Sequence, residues 1–314
     1  MKIAIHAIWL AISLTLVALG GTSEAASITD FAVYGQNDVK IGVGSTVTGL
    51  VGSGGTVVGV AALVGGTSGV YGDVRSGANV QLNNYSFVTG SVTNPGTYTQ
   101  AATATVGGGH FTAMPDLPTL PAATTYSAGG SNLGGVLQTL APGSYGAVSL
   151  GGNATLNLSA GDYYFNTLTA GNNLKLNLDL SGGAVRVFVV GAIQFGSVDV
   201  LPTGGTASNI YFETHYAGAN AFLAGGQVDW LGTVFAPYGE IHIGSGGASG
   251  TFQGNLWAGT SVNIEHGMVG TSPSPLPAPE PASATLLALG LASLGIGCAW
   301  RKRAARRRAH LDIS

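Results

Sequence analysis

A single cysteine, Cys298, occurs in the 314 residues, so no disulfide framework holds this chain and the body must rely on packing and backbone pairing. Charge is nearly as scarce, with Asp, Glu, Lys and Arg making up 8% of the sequence. Six of the 11 Lys and Arg fall between Arg301 and Arg308 and one is Lys2, which leaves Lys40, Arg75, Lys175 and Arg186 for the body. The same body carries 11 acids, so it is acidic. Phosphate recognition needs clustered Lys and Arg, and nucleic acid is therefore excluded as a partner. Between Ser27 and Gly270 no stretch has helical periodicity. The 52 glycines follow no Gly-X-Y period, which excludes collagen. Long apolar runs are confined to the two ends.

At the first end, Lys2 precedes an apolar run from Ile3 to Gly20, and Ser23-Glu24-Ala25 closes it. This is the pattern of a secretory signal peptide, with cleavage expected between Ala25 and Ala26 by signal peptidase. A buried N-terminal helix is the alternative. At the other end, Ala282 to Trp300 carries no formal charge. As a helix it would extend about 28 Å, close to one hydrocarbon core. Arg301, Lys302, Arg303, Arg306, Arg307 and Arg308 follow, and guanidinium groups resist transfer across a bilayer. The expected topology is body outside, one span, basic tail inside. Pro279 and Pro281 hold Glu280 on an extended segment just before the span.

This order of Pro279-Glu280-Pro281, apolar segment and arginine block resembles the PEP-CTERM sorting signal of Gram-negative bacteria. The resemblance implies an exosortase as partner, an inner-membrane precursor, and a mature protein at the cell surface or in the exopolysaccharide matrix. A plain membrane anchor is the alternative reading of the same tail.

Inside the body, short alternating strands recur. The clearest is Leu174-Lys175-Leu176-Asn177-Leu178-Asp179-Leu180, with leucines on one face and polar groups on the other. Gly-Gly, Gly-Asn and Ser-Gly pairs punctuate such strands where tight turns are needed. Strands of about five residues with glycine corners predict an all-β fold, a parallel β-solenoid whose coils bury their apolar faces by stacking. An antiparallel sandwich is the alternative. Pro115, Pro118 and Pro121 predict a stiff extended crossing between two halves. The expected organisation is a signal peptide 1–25, a first solenoid half 26–111, a crossing 112–136, a second half 137–271, a Pro/Ser stalk 272–281, a transmembrane helix 282–300 and a basic tail 301–314. Gly72 to Leu82 and Gly232 to Pro237, running on to Gly259, loosely resemble the adhesive-type solenoid domains of bacterial surface proteins. Ice-binding solenoids are similar at this level but need regular threonine arrays, and the threonines here have no sustained regular spacing along the chain.

For chemistry, the strongest pattern is a ladder. Ile210 and Phe212 are expected inward and Tyr211, Glu213 and His215 outward. Later coils would add Glu240 and His242, then Asn263 and Glu265. In-register stacking would set Glu213, Glu240 and Asn263 in one column and His215, His242 and Glu265 in the next. Imidazole and carboxylate ligate divalent cations, although pairing of His with Glu across a solvated face explains the same residues. No other cofactor is implied. An enzyme is not expected: the basic residues are scattered, Asp162, Asp179 and Asp199 read as turn or face residues, His110 reads as a loop residue, and no hydrolase or phosphate-loop motif is present. Tyr163-Tyr164-Phe165, Tyr216, Trp230, Tyr238 and Trp257 could offer aromatic platforms to sugars, or serve as core. The reading is an exported structural or adhesive protein, with exopolysaccharide as a candidate ligand. The enzyme alternative is a surface-displayed carbohydrate-active β-helix.

Overall fold

Alternation of side chains along each strand explains the architecture. In Leu174–Asp179 the three leucines are buried and Lys175 and Asp179 exposed, as a period of two demands. One such strand cannot cover its own apolar face. The computed structural model, which describes residues 26–59, 67–245, 247 and 249–272, shows how the coils cover one another. Every pairing between the described strands is parallel, which excludes the sandwich. Two single-turn 3-10 segments, Ile28–Asp30 and Ala207–Asn209, are the only helical elements among the described residues. None there is long and apolar enough to cross a membrane.

The result is a parallel β-solenoid of about ten turns. Each turn contributes one strand to each of three faces, which we call A, B and C. Ile210–Thr214 lies on face A, Phe222–Ala224 on face B and Val228–Leu231 on face C. Inward residues stack into columns: Leu156 on Leu176 on Val200, and Val234 on Leu256 on Val33. All six of these side chains are buried. Corners bring backbone onto backbone. Gly232 (φ +108°) lies beneath Gly254 (φ +155°), where a Cβ would run into the Gly232 carbonyl, so both sites require glycine.

Stacking does not follow chain order. Phe31–Gly35, the first strand, sits between Leu50–Ser53 and Leu256–Ala258 in the middle of the stack. From there the chain winds to one end at His110–Thr112, restarts at the opposite end with Leu133–Leu140, and winds back until Met268–Thr271 pairs with Thr46–Thr48. The seam between the halves is closed on all three faces by main-chain pairing, at Val33 with Leu256, Val39 with Val262 and Val47 with Gly270. The Pro-rich stretch is thus more than a crossing between halves. It runs 113–132 as a strap along face A, and Leu133 already belongs to a strand.

The signal peptide with Ala25, the sorting motif Pro279, Glu280 and Pro281, the span 282–300 and the basic cluster from Arg301 to Arg308 lie outside the described residues. Cavity formation tests the core. Leu176→Ala is expected to cost about 2–5 kcal/mol in a urea melt, against about 0.5 kcal/mol or less for the neighbouring exposed Lys175→Ala.

Candidate functional site

The strap covers the middle of face A. Leu117 and Leu120 pack on Phe31, Tyr34, Phe235 and Trp257, whose outward rings make a second apolar cluster against the strap. Trp257 Nε1 donates to the Phe31 carbonyl at 3.0 Å, tying the cluster across the seam. Arg75 donates to the Asp116 carbonyl, and the Asp116 carboxylate accepts from the Ala26 amide at 3.0 Å. Farther along, the Tyr126 hydroxyl donates to the Val189 carbonyl at 2.7 Å, with its ring 5.3 Å from Phe188 and 4.4 Å from His215. Ser144 exchanges hydrogen bonds with Gly129 at the far end.

The centre of this contact is Glu213. The sequence places it outward, and so it points, but the strap leaves it wholly buried. Its Oε1 accepts from the Thr124 amide at 2.8 Å and from His215 Nε2 at 2.7 Å. Its Oε2 accepts from the Thr124 and Tyr211 hydroxyls, each at 2.8 Å. A buried carboxylate is very costly unless hydrogen-bonded, and four donors meet that need. Burial, and then the Glu213 charge, pushes the Tyr126 and Tyr211 phenols far above their ordinary range. This carboxylate is a latch for the strap. Its acceptor capacity is taken, which leaves little for a metal ion.

The expected ladder does not form. Glu213 stands opposite Phe235, not Glu240, and His242 stands opposite Asn263. The physical reason is a strand invisible to the alternation count: Phe222–Ala224 separates the two segments, so Ile210–Thr214 and Ile241–Ile243 occupy different faces. On face B, Asn263 donates to Glu240, His242 Nε2 lies 2.8 Å from Glu265, and His242 Nδ1 lies 3.1 Å from Asn220. Glu213 and His215 are a separate pair. Among the described residues no group of three or more His, Cys, Asp or Glu is arranged to hold a metal.

Other candidates resolve into local pairs. Arg186 grips Asp162 bidentately at 2.7 and 2.8 Å. Asp179 accepts from the Ser181 hydroxyl and amide, which holds its carboxyl below the usual range. His110 is a strand residue and not a loop residue: its ring stacks on Tyr98 at 4.0 Å and its Nε2 meets Asn94 at 2.8 Å. Asp199 shares an outward column with Lys175 and Asp229 beside a small polar groove. Of the proposed aromatic platforms, Tyr163, Phe165, Trp230 and Trp257 are buried, while Tyr216 and Tyr238 remain exposed.

The open surface is instead on face C. Tyr71 is 52% exposed and meets Phe87 edge-on at 4.9 Å. With Thr89, Thr105, Val106 and Gly107 they line a shallow depression. The Phe87 ring stands where a side chain on Gly69 would be, and the missing side chain makes the room. Sequence reasoning missed this pair because Tyr71 and Phe87 sit in separate coils within weak, glycine-diluted strands. On the same face Thr48 stacks on Thr271, and Thr46, Val269 and Thr251 form the adjoining column.

No protein-family model and no curated protein matches the sequence. Among solved structures, the chain is similar to an ice binding protein from an Antarctic bacterium, Flavobacteriaceae. The two are 14% identical over 78% of this chain and 82% of the other, with a TM-score of 0.30. A likeness that slight assigns nothing to this chain.

Two outcomes test the latch. Thr124→Val removes one donor from buried Glu213 and is expected to cost about 1–3 kcal/mol, with earlier proteolysis in the strap. Both phenols have folded pKa values raised above the unfolded value of about 10, so the stability they contribute is full below that pH and is lost as pH rises beyond it. Melts between pH 8 and 12 should show this alkaline loss, and Tyr126→Phe should make it shallower.

Proposed function

We propose that the chain is an exported, non-catalytic binding protein of the bacterial surface or exopolysaccharide matrix, and that it holds glycan on face C. The observation that carries this reading is the uncovered pair Tyr71 and Phe87. These two rings meet edge-on and line a depression, and the apolar face of a sugar ring stacks on such rings. Thr89 and Thr105 beside them supply hydroxyls for orientation. On this reading the strap covers the middle of face A for stability, and faces B and C meet the outside.

Export rests on the sequence ends: the signal-like run before Ala26, and the Pro279-Glu280-Pro281 tail that resembles an exosortase substrate. One contact agrees with cleavage after Ala25. The Ala26 nitrogen already lies 3.0 Å from the Asp116 carboxylate, where a new α-ammonium would find its counter-ion.

A second reading has its own observation. Thr48, Thr271, Thr46 and Thr251 come together on one sheet face, with rungs about 4.8 Å apart and alternate residues about 6.8 Å apart along each strand. Such a patch suits an ordered array of water or hydroxyl groups, as an ice-binding-like adhesive face would.

A glycan array read together with a reducing-sugar assay tests the first reading. Binding without turnover is expected, with Tyr71→Ala or Phe87→Ala weakening it about tenfold, equivalent to about 1.4 kcal/mol. Turnover, or binding untouched by either substitution, defeats it. Thermal hysteresis lost in Thr48→Tyr and Thr271→Tyr, with glycan binding intact or absent, would favour the second.

A further inference from the structure

We propose that the two ends of the solenoid bind one another between copies, so that the protein assembles head to tail into a filament. Both ends are open. At one end the outermost strands are His110–Thr112, Tyr98–Gln100 and Thr105–Val106, each paired on one side alone among the described residues. At the other end the outermost strand is Leu133–Leu140, likewise paired on one side. Parallel strands stacked in one direction leave these ends complementary, because one end continues what the other begins.

Natural edge strands avoid such pairing with charged residues or proline. None of the four strands contains Asp, Glu, Lys, Arg or Pro. Val136 and Leu137 are 61% and 63% exposed on the last rung, and Phe111 is 54% exposed on the opposite one. Ala26 and Ser272, where the described chain begins and ends, both lie mid-stack beside the first coil. Ala26 precedes Ile28–Asp30 and the first strand, and the Ser272 amide donates to the Thr48 carbonyl at 3.0 Å.

The molecule also holds an example of the required contact. At the seam, Phe31–Gly35, Asp38–Ile41 and Thr46–Thr48 dock on Leu256–Ala258, Ser261–Ile264 and Met268–Thr271 with no direct chain connection between the coils. Coil-on-coil docking by main-chain pairing is thus how this protein already joins its two halves. An outward column on face C sets the register. It runs without a break from Thr105 through Phe87, Gly69, Thr46, Val269, Thr251, Asp229, Asp199, Lys175 and Thr155 to Leu137. In a filament, Leu137 of one copy follows Thr105 of the next.

The test is a cross-linking ladder in the full chain, with Cys298→Ala removing the native thiol. Thr105→Cys and Leu137→Cys together would stand about 4.8 Å apart across the contact, within disulfide reach. Mild oxidation should give dimers, trimers and higher species on a non-reducing gel, and neither single variant should. Adding Val136→Lys should cut the multimeric fraction at least tenfold while the melting temperature holds. Monomer alone, a ladder that stops at dimer, dimers from one single variant, or a ladder indifferent to Val136→Lys would each overturn the proposal.

Discussion

Backbone pairing between successive coils, at a rise of about 4.8 Å, is the constraint from which the rest of this structure follows. It forces one strand per face per turn and so makes columns of like side chains: leucine and valine inside, small polar groups outside. It brings corner backbones so close that glycine is required where Gly254 crosses Gly232. It also lets a body with four Lys and Arg and no disulfide stand up, since main-chain groups supply the order that charge and cysteine do not.

The strap introduces a different kind of interaction. Three prolines keep 113–132 extended, so that segment offers few hydrogen bonds of its own along its length. What fixes it is a buried carboxylate with four donors, reinforced by Tyr126 on Val189 and by leucines on an aromatic cluster. Polar specificity at Glu213 sets the position of the strap, and apolar contact at Leu117 and Leu120 gives adhesion. The surface under these contacts is withdrawn from solvent, while Arg186 and Phe111 toward the ends of the same face stay exposed.

The solenoid was legible because its signal is local. Leu174 to Leu180 alternates cleanly, and the absence of helical periodicity holds across the described body. What the sequence hid was non-local. Phe222–Ala224 is three residues long between glycines and polar residues, too short to count, and missing it displaced Glu240 and His242 by a whole face. Thr48 and Thr271 neighbour each other in space but stand at opposite ends of the body in sequence, so no spacing rule along the chain could group them. Burial of Glu213 depends on Thr124, which reads as part of a proline-rich connection. Trp230 and Trp257 look like platforms in the sequence and prove to be filling and clamp, because Trp230 packs in the core and the strap covers the outward ring of Trp257.

The mid-stack position of the first coil has a consequence for biogenesis. The coil of Phe31 to Thr48 is synthesised first, yet the partner for its second side, Leu256 to Thr271, arrives last. Closure of that side therefore waits for nearly the whole body to emerge, a sequence separation that slows folding. A chain still being synthesised is held open on that side by its own topology, and it locks shut only once Leu256 to Thr271 has been made.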